Sequence, residues 1–256
     1  MSTLISKSSH FQISKSALLE IATTDFHTTQ AAVAGGADRI ELCTALSEGG
    51  ITPSHGLIRP CREAFSVPLF PIIRPRPGDF LYTPEEFNIM LHDVVLCKQL
   101  GCDGVVIGLL KKDGSIDIKR TSKLIEAAYP LEVTFHRAFD RCLDPFAAME
   151  VLIEIGCQRI LTSGQQPTAP EGAELIAQLI RTANNSITIM PGSGVRKENI
   201  KELAEKTGAT EFHSSLKATR HSNMDYIHPA FANSKESYTN PSIDAYEVEA
   251  LRQALI

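Results

Sequence analysis

Residues 84–108 read PEEFNIMLHDVVLCKQLGCDGVVIG, and this stretch decides the fold. Residues 84–100 space Phe87, Met90, Leu91, Val94, Val95 and Leu100 at helical intervals, the pattern of an amphipathic helix with one face toward a core. Gly101-Cys102-Asp103 then ends that helix, because glycine accepts the C-terminal cap conformation and lets the chain reverse. The run that follows, 104–108, is apolar, β-rich and of strand length. A helix, a glycine turn and a buried strand together make half of a parallel β-α repeat.

The same turn recurs as Gly36-Ala37-Asp38, Gly156-Cys157-Gln158 and Gly208-Ala209-Thr210, each announcing another apolar run. The runs fall at 18–22, 39–43, 69–74, 104–108, 133–136, 159–162, 187–190 and 210–213. Strands alternating with helices at about thirty-residue spacing predict parallel β-α units. Eight of them predict an α/β fold of one closed (β/α)8 barrel, TIM-like, with function at the C-terminal ends of the strands. A doubly wound open sheet is the runner-up, disfavoured because no complete G-x-G-x-x-G follows the first strand. Residues 1–16, rich in Ser and Lys, read as a flexible N-terminal arm, and 17–256 as the barrel domain. That domain includes a polar, breaker-rich excursion over 218–240. A last helix is expected from Asp244 to Leu255, with Glu247 completing a capping-box-like pair.

Composition narrows the partners. The chain has 256 residues, 43% apolar and 21% charged, with a formal net charge of -5, which suits a globular protein with a full core. No basic tract offsets that charge, so a nucleic-acid binder is not expected. No run of eighteen apolar residues is present, so no membrane span is expected. The first sixteen residues lack the apolar segment of a secretory signal, and a cytoplasmic location is the expectation. The cysteines Cys43, Cys61, Cys97, Cys102, Cys142 and Cys157 form no C-x-x-C and read as small buried hydrophobes.

Candidate functional residues cluster at the strand ends. Thr134-Phe135-His136-Arg137-Ala138-Phe139-Asp140 places an imidazole, a guanidinium and a carboxylate just where a strand gives way to a helix start. His136 is placed as an acid or base near neutral pH. Asp140 either orients it or caps the turn ahead of a helix beginning near Pro145. Glu20 and Glu41 occupy equivalent places on the first two strands, Arg74 ends the third and Arg76 lies two residues on. Glu41, His136 and Asp140 are therefore the catalytic candidates. Glu20, Arg74 and Arg76 are candidate ligand contacts, together with Ser163 after the sixth run. Gly192-Ser193-Gly194 precedes a helix near Arg196, and its backbone N–H groups favour an anion. In TIM barrels the loops after strands seven and eight often build a phosphate site, which here pairs that loop with His213-Ser214-Ser215.

Lined up, several of these motifs resemble the copper homeostasis protein CutC family. They are residues 35–43 with 48–54, Ile73-Arg74-Pro75-Arg76-Pro77-Gly78-Asp79-Phe80, the 134–140 cluster, Leu161-Thr162-Ser163-Gly164, 190–194 and Glu211-Phe212-His213. The resemblance covers roughly residues 18–220 and the final helix. It implies a TIM-like barrel, a cytoplasmic protein, self-association as a homodimer, and a role in copper handling. Cu(I) prefers two or three soft thiolate or thioether ligands. Only Cys43 lies near the mouth, since Ala22 stands where some members of that family carry a second cysteine, and Cys61 is the next candidate. Two functional expectations follow: a copper-homeostasis protein with Cys43 as metal ligand, or an enzyme using acid–base chemistry on an anionic or phosphorylated small molecule.

Overall fold

Strand and helix alternate through most of the chain, and residues 17–231 and 238–255 are described by this computed structural model. The strands are β1 (Leu18–Thr23), β2 (Arg39–Leu42), β3 (Leu69–Pro71), β4 (Gly104–Ile107), β5 (Glu132–Phe135), β6 (Arg159–Thr162), β7 (Thr188–Pro191) and β8 (Glu211–Ser214). Between them lie α1 (Phe26–Ala34), α2 (His55–Ala64), α3 (Pro84–Gln99), α4 (Ile118–Ala128), α5 (Pro145–Glu154), α6 (Ala173–Ala183) and α7 (Ile200–Thr207). The expected arm, 1–16, lies outside the described residues.

The strands form two parallel ladders, ordered β3-β2-β1-β8 and β4-β5-β6-β7. Hydrogen bonds from Ile73 N–H to the Val106 carbonyl (2.8 Å) and from Asp103 N–H to the Leu69 carbonyl (3.1 Å) join them at one seam. At the other, β7 lies beside β8, with Gly192 against His213. The ring closes, as the (β/α)8 reading requires. The third strand is shorter than the 69–74 run because its ladder stops at Pro71, which has no N–H to donate. Beyond it Ile72 N–H still donates to the Leu42 carbonyl at 3.0 Å, and an isolated bridge joins Ile72 to Val106.

Local chemistry explains the helices. Thr83 caps α3 by accepting from Glu86 N–H (3.2 Å) while the Glu86 carboxylate accepts from Thr83 N–H (2.7 Å), a capping box with Pro84 in the first turn. The four turn glycines, Gly36, Gly101, Gly156 and Gly208, all take positive φ, at 88°, 75°, 83° and 74°.

Side chains alternate across each strand. Leu19, Ile21, Ile40 and Leu42 belong to the large core that the strands share with the helices. Cys43, Phe70, Ile72 and Val106 make a separate, smaller cluster inside the ring. Beneath it lies a charged layer built around Glu20. Arg39 pairs with Glu20 and, at 2.7 Å, with Glu211. Arg159 pairs with Glu211 at 2.6 Å and Glu132 at 3.1 Å. Both guanidiniums sit near the Phe70 ring, 5.2 and 5.6 Å from its centroid. Buried charges are tolerated when paired in this way.

The C-terminal excursion is more ordered than its composition suggests. Ala218–His221 (β9) pairs antiparallel with Thr239–Ser242 (β10), and residues 232–237 lie outside the description. The last helix, α8 (Ala245–Gln253), is capped by Asp244 alone, which accepts from Tyr246 N–H at 2.9 Å. Glu247 does not complete a capping box; it takes Lys197 Nζ at 2.8 Å, tying α8 to the loop before α7. No described helix is long and apolar enough to cross a membrane.

Candidate functional site

The C-terminal ends of the barrel strands open into a cavity of about 890 Å³, lined by Glu41, Arg74, His136 and His213 among others. Four of the predicted strand-end residues thus share one mouth. Ser193, Gly194 and Ser214 line it as well.

His136 follows β5 and is 4% exposed. Its Nδ1 accepts from Ala138 N–H at 3.0 Å, which in the neutral ring leaves the proton on Nε2. Burial, reinforced by the charge of Arg74, drives its pKa down to about 3. His136 is therefore a neutral hydrogen-bond donor at physiological pH, not the acid or base with an ordinary midpoint that the sequence suggested. Its Nε2 has no hydrogen-bond partner among the described residues.

Glu41, Glu20 and His213 bring ligand atoms within 4.8 Å of one another. Burial pushes the Glu41 carboxyl up to about 7, with the Glu20 charge adding to the rise. Burial would lower the His213 pKa, but the Glu41 and Glu20 carboxylates outweigh it and raise it. Glu20 itself is fully buried and does not line the cavity. One oxygen pairs with Arg39 and the other with His213 Nδ1 at 2.7 Å, so Glu20 supports His213 instead of touching a ligand. Burial opposes its ionisation, yet Arg39 and His213 hold its pKa below the usual carboxylate range.

Arg74 lies in the mouth with carbonyls, not carboxylates, as partners: Nη1 donates to Glu48 (2.7 Å) and Gly50 (2.9 Å), Nη2 to Gly78 (3.0 Å). Its charge is left free for a ligand. Arg76 is not so placed: it pairs with Asp79 (2.9 Å) and Glu86 (2.6 Å) and organises the loop before α3. Asp140 neither orients His136 nor caps α5. A 3-10 turn, Phe139–Arg141, swings it toward β6, where it accepts from Ser163 N–H at 3.0 Å and pairs with Arg137 at 2.7 Å. The cap of α5 is Asp144. Ser163, held by Asp140 and Arg137, does not line the cavity. Gly192 does not line it either: its bare Cα makes room for Leu161, whose Cδ1 would lie 2.4 Å from a Cβ there. The Ser193 hydroxyl donates to the Pro167 carbonyl at 2.9 Å.

Sequence reasoning missed most of the rim. Arg74, Lys111, Lys112, Arg137, Arg141, Arg196 and Lys217 line the cavity, seven cations against the three acids Glu41, Glu48 and Asp79. Arg196 reaches Ser214 Oγ at 3.2 Å, linking the loop after β7 to the end of β8. Arg196 and Lys217 flank the predicted anion motifs, the one signal that pointed to them.

Cys43 and Cys61 do not meet in a Cu(I) site, and the two thiols that do lie together, Cys97 and Cys102, do not line the cavity. Cys43 is fully buried against Phe70, Ile72 and Val106, and burial, with the Glu41 charge behind it, pushes its thiol pKa far up. A protonated thiol is a poor metal ligand. Cys61 lies against Thr29 of α1, at 3.9 Å from its hydroxyl, on the helix side of the barrel. Among the described residues, the one group of three with ligand atoms together is Glu20, Glu41 and His213. Oxygen and imidazole donors suit harder divalent ions than Cu(I).

Fold and site define a TIM-type barrel with a cation-rimmed polar mouth. Residues 17–218 match the model of the CutC family. The CutC-family protein of Parabacteroides distasonis is 52% identical over 210 residues, covering 82% of this chain and 86% of its own. That of Chromobacterium violaceum is 46% identical over 241 residues, covering 93% and 98%. The chain belongs to the CutC family. Among solved structures, a CutC from Streptococcus agalactiae, named provisionally for copper homeostasis, superposes with a TM-score of 0.75 at 31% identity, covering 78% of this chain and 98% of that one.

Proposed function

We propose that this CutC-family chain binds an anionic small molecule at the barrel mouth and acts on it by acid–base chemistry. Any part it takes in copper homeostasis, the role its Streptococcus agalactiae relative is provisionally named for, then runs through that chemistry and not through a resident Cu(I) ion. One observation carries the reading: seven Lys and Arg side chains against three acids line the cavity, in a chain whose net charge is -5. A field of that sign, focused in a cleft, concentrates anions. Arg74 and the loops carrying Ser193, Gly194, Arg196 and Ser214 would hold the charged end of the ligand. Glu41 would move protons, with His213 and Glu20 behind it.

Copper binding is the second reading, favoured by that relative's name and by the position of Cys43 after β2, just inside the mouth. Two titrations on one preparation separate the readings. Calorimetry with inorganic phosphate and phosphate esters is expected to show binding that weakens in Arg196→Ala. Anaerobic Cu(I) competition against a chromogenic chelator is expected to show no uptake that depends on Cys43, tested in Cys43→Ser. Stoichiometric, Cys43-dependent uptake with no anion binding would reverse the assignment. The cytoplasmic location, the homodimer and residues 17–256 as one domain belong to the same proposal, and sedimentation equilibrium tests the dimer.

A further inference from the structure

The mouth holds polar atoms that find no hydrogen-bond partner among the described residues: Glu41 Oε2, His136 Nε2 and Arg74 Nε. All three residues line the cavity, and they are 5%, 4% and 5% exposed. Buried polar groups are paired as a rule, and an orphan costs about 1–3 kcal/mol. Three orphans around one cavity describe the ligand that would satisfy them.

Their chemistry is specific. With Nδ1 accepting from Ala138 N–H, the neutral His136 ring offers only a donor at Nε2, and Arg74 Nε–H can only donate. Arg74 also stands near the Tyr82 hydroxyl, so His136 is the clearer of the two donors. Glu41 Oε2 is an acceptor when ionised. Glu41 lies on β2 and His136 follows β5, three strands on in a ring of eight, so they address a ligand from opposite sides. The complement is a small molecule with an acceptor oxygen toward His136 and Arg74 and a removable hydrogen toward Glu41. Its anionic end points to the cationic rim.

We infer that the mouth catalyses proton transfer at the carbon next to the carbonyl of a short phosphorylated hydroxycarbonyl compound. This rests on the anion-site reading above and names its substrate class and reaction. The Glu41 carboxylate takes the proton from that carbon. The C–H electron pair becomes the carbon–carbon double bond, and the carbonyl π pair moves onto oxygen. The resulting enediolate oxygen is held by His136 Nε2–H and Arg74, donors aimed where charge develops. Glu41 then returns the proton. Delivery to the same carbon restores the substrate, with that hydrogen exchanged for one from solvent. Delivery to the neighbouring carbon, as the hydroxyl proton passes between the two oxygens, shifts the carbonyl by one position. Glu41 is regenerated and no oxidant, reductant or second reactant enters.

The test compares calorimetric affinities for glycerol 3-phosphate, which has no enediolate-like end, and phosphoglycolohydroxamate, a planar enediolate mimic. Mimics of a stabilised intermediate bind about a hundredfold or more tighter than ground-state analogues, and that ratio is expected for the wild type. It is expected to collapse toward one in Glu41→Gln and His136→Gln. A second measurement needs no variant: dihydroxyacetone phosphate incubated with wild-type protein in D2O should lose its carbon-bound proton signal next to the carbonyl. Equal affinity for the two probes, with no exchange, overturns the proton-transfer inference and leaves the anion site standing. If neither probe nor inorganic phosphate binds, the anion-site reading falls and this inference with it.

Discussion

Gly108 lies so close to the His136 ring that a Cβ built on it would sit 2.2 Å from Cε1 and 2.3 Å from Nδ1. The ring is also in contact with Phe80, centroid to centroid 5.0 Å. The chain just past strand four gives up a side chain to leave room for the imidazole. Gly108→Ala is therefore expected to destabilise the fold by about 1–3 kcal/mol, the usual range for overpacking, and to weaken anion binding by displacing His136. Urea denaturation and calorimetry on the same variant check both effects. Wild-type stability and affinity in Gly108→Ala would contradict the placement of the ring.

His136 is expected to stay neutral, with its proton on Nε2, across the whole range in which the fold persists. Its folded pKa is about 3, lowered by burial and by Arg74. The folded state refuses a proton that the unfolded chain accepts near pH 6.5, so His136 makes the fold less stable as pH falls from about 6.5 toward 3. Nitrogen-15 NMR of the imidazole should show one tautomer and no midpoint between pH 5 and 8. A midpoint near 6.5 would mean that the ring is solvated.

Glu20 is expected to be a strut. Replacing it with Gln removes the partner of Arg39 and the charge behind His213, and breaking a buried pair from one side costs about 3–5 kcal/mol. Replacing both partners, Glu20→Leu with Arg39→Met, should cost less than Glu20→Gln, because the Arg39 charge goes with its partner and Glu211 keeps Arg159. Chemical denaturation of the two variants decides it. Near-neutral Glu20→Gln would mean that Arg39 needs only Glu211.

How much of this was legible depended on whether the signal was local. The helix over 84–100 and its Gly101 turn are written within a few residues, and the sixth apolar run coincides with the observed strand, Arg159–Thr162. Glu41, Arg74 and His136 were legible as ionisable residues at or just past the ends of apolar runs, which a barrel places at its mouth. Arg39 and Arg159 begin equally apolar strands, yet their pairing with Glu211 depends on which alternate face turns inward and which strands meet across the ring. Asp140 misled because four residues of separation suggests contact with His136, whereas the 3-10 turn turns the carboxylate to Ser163. Lys111 and Lys112 sit on a loop without periodicity, so nothing in their neighbours marked them as facing a cavity, whereas Lys217 at least follows the His213-Ser214-Ser215 motif.

Glu41 gives the fold a pH dependence of opposite sign. Its carboxyl is raised from 4.5 to about 7, chiefly by burial, so the folded state holds a proton that the unfolded chain has released. The stabilisation is full below about pH 4.5 and is lost as pH rises through about 7, a change on the order of 3 kcal/mol. Glu41→Gln lacks that loss and should gain on the wild type between pH 5 and 8. Denaturation midpoints of the two proteins at several pH values make the comparison. Parallel curves would place the Glu41 titration near that of an ordinary carboxyl.

The most direct test of the anionic-ligand site is thermal unfolding of the wild-type protein against a panel of phosphorylated three- to six-carbon acids and sugars. A ligand present at a hundred times its Kd should stabilise the fold by about 2.7 kcal/mol, a rise in Tm of several degrees that disappears in Arg196→Ala. A panel that leaves Tm unmoved, beside stoichiometric Cu(I) uptake through Cys43, would contradict the account.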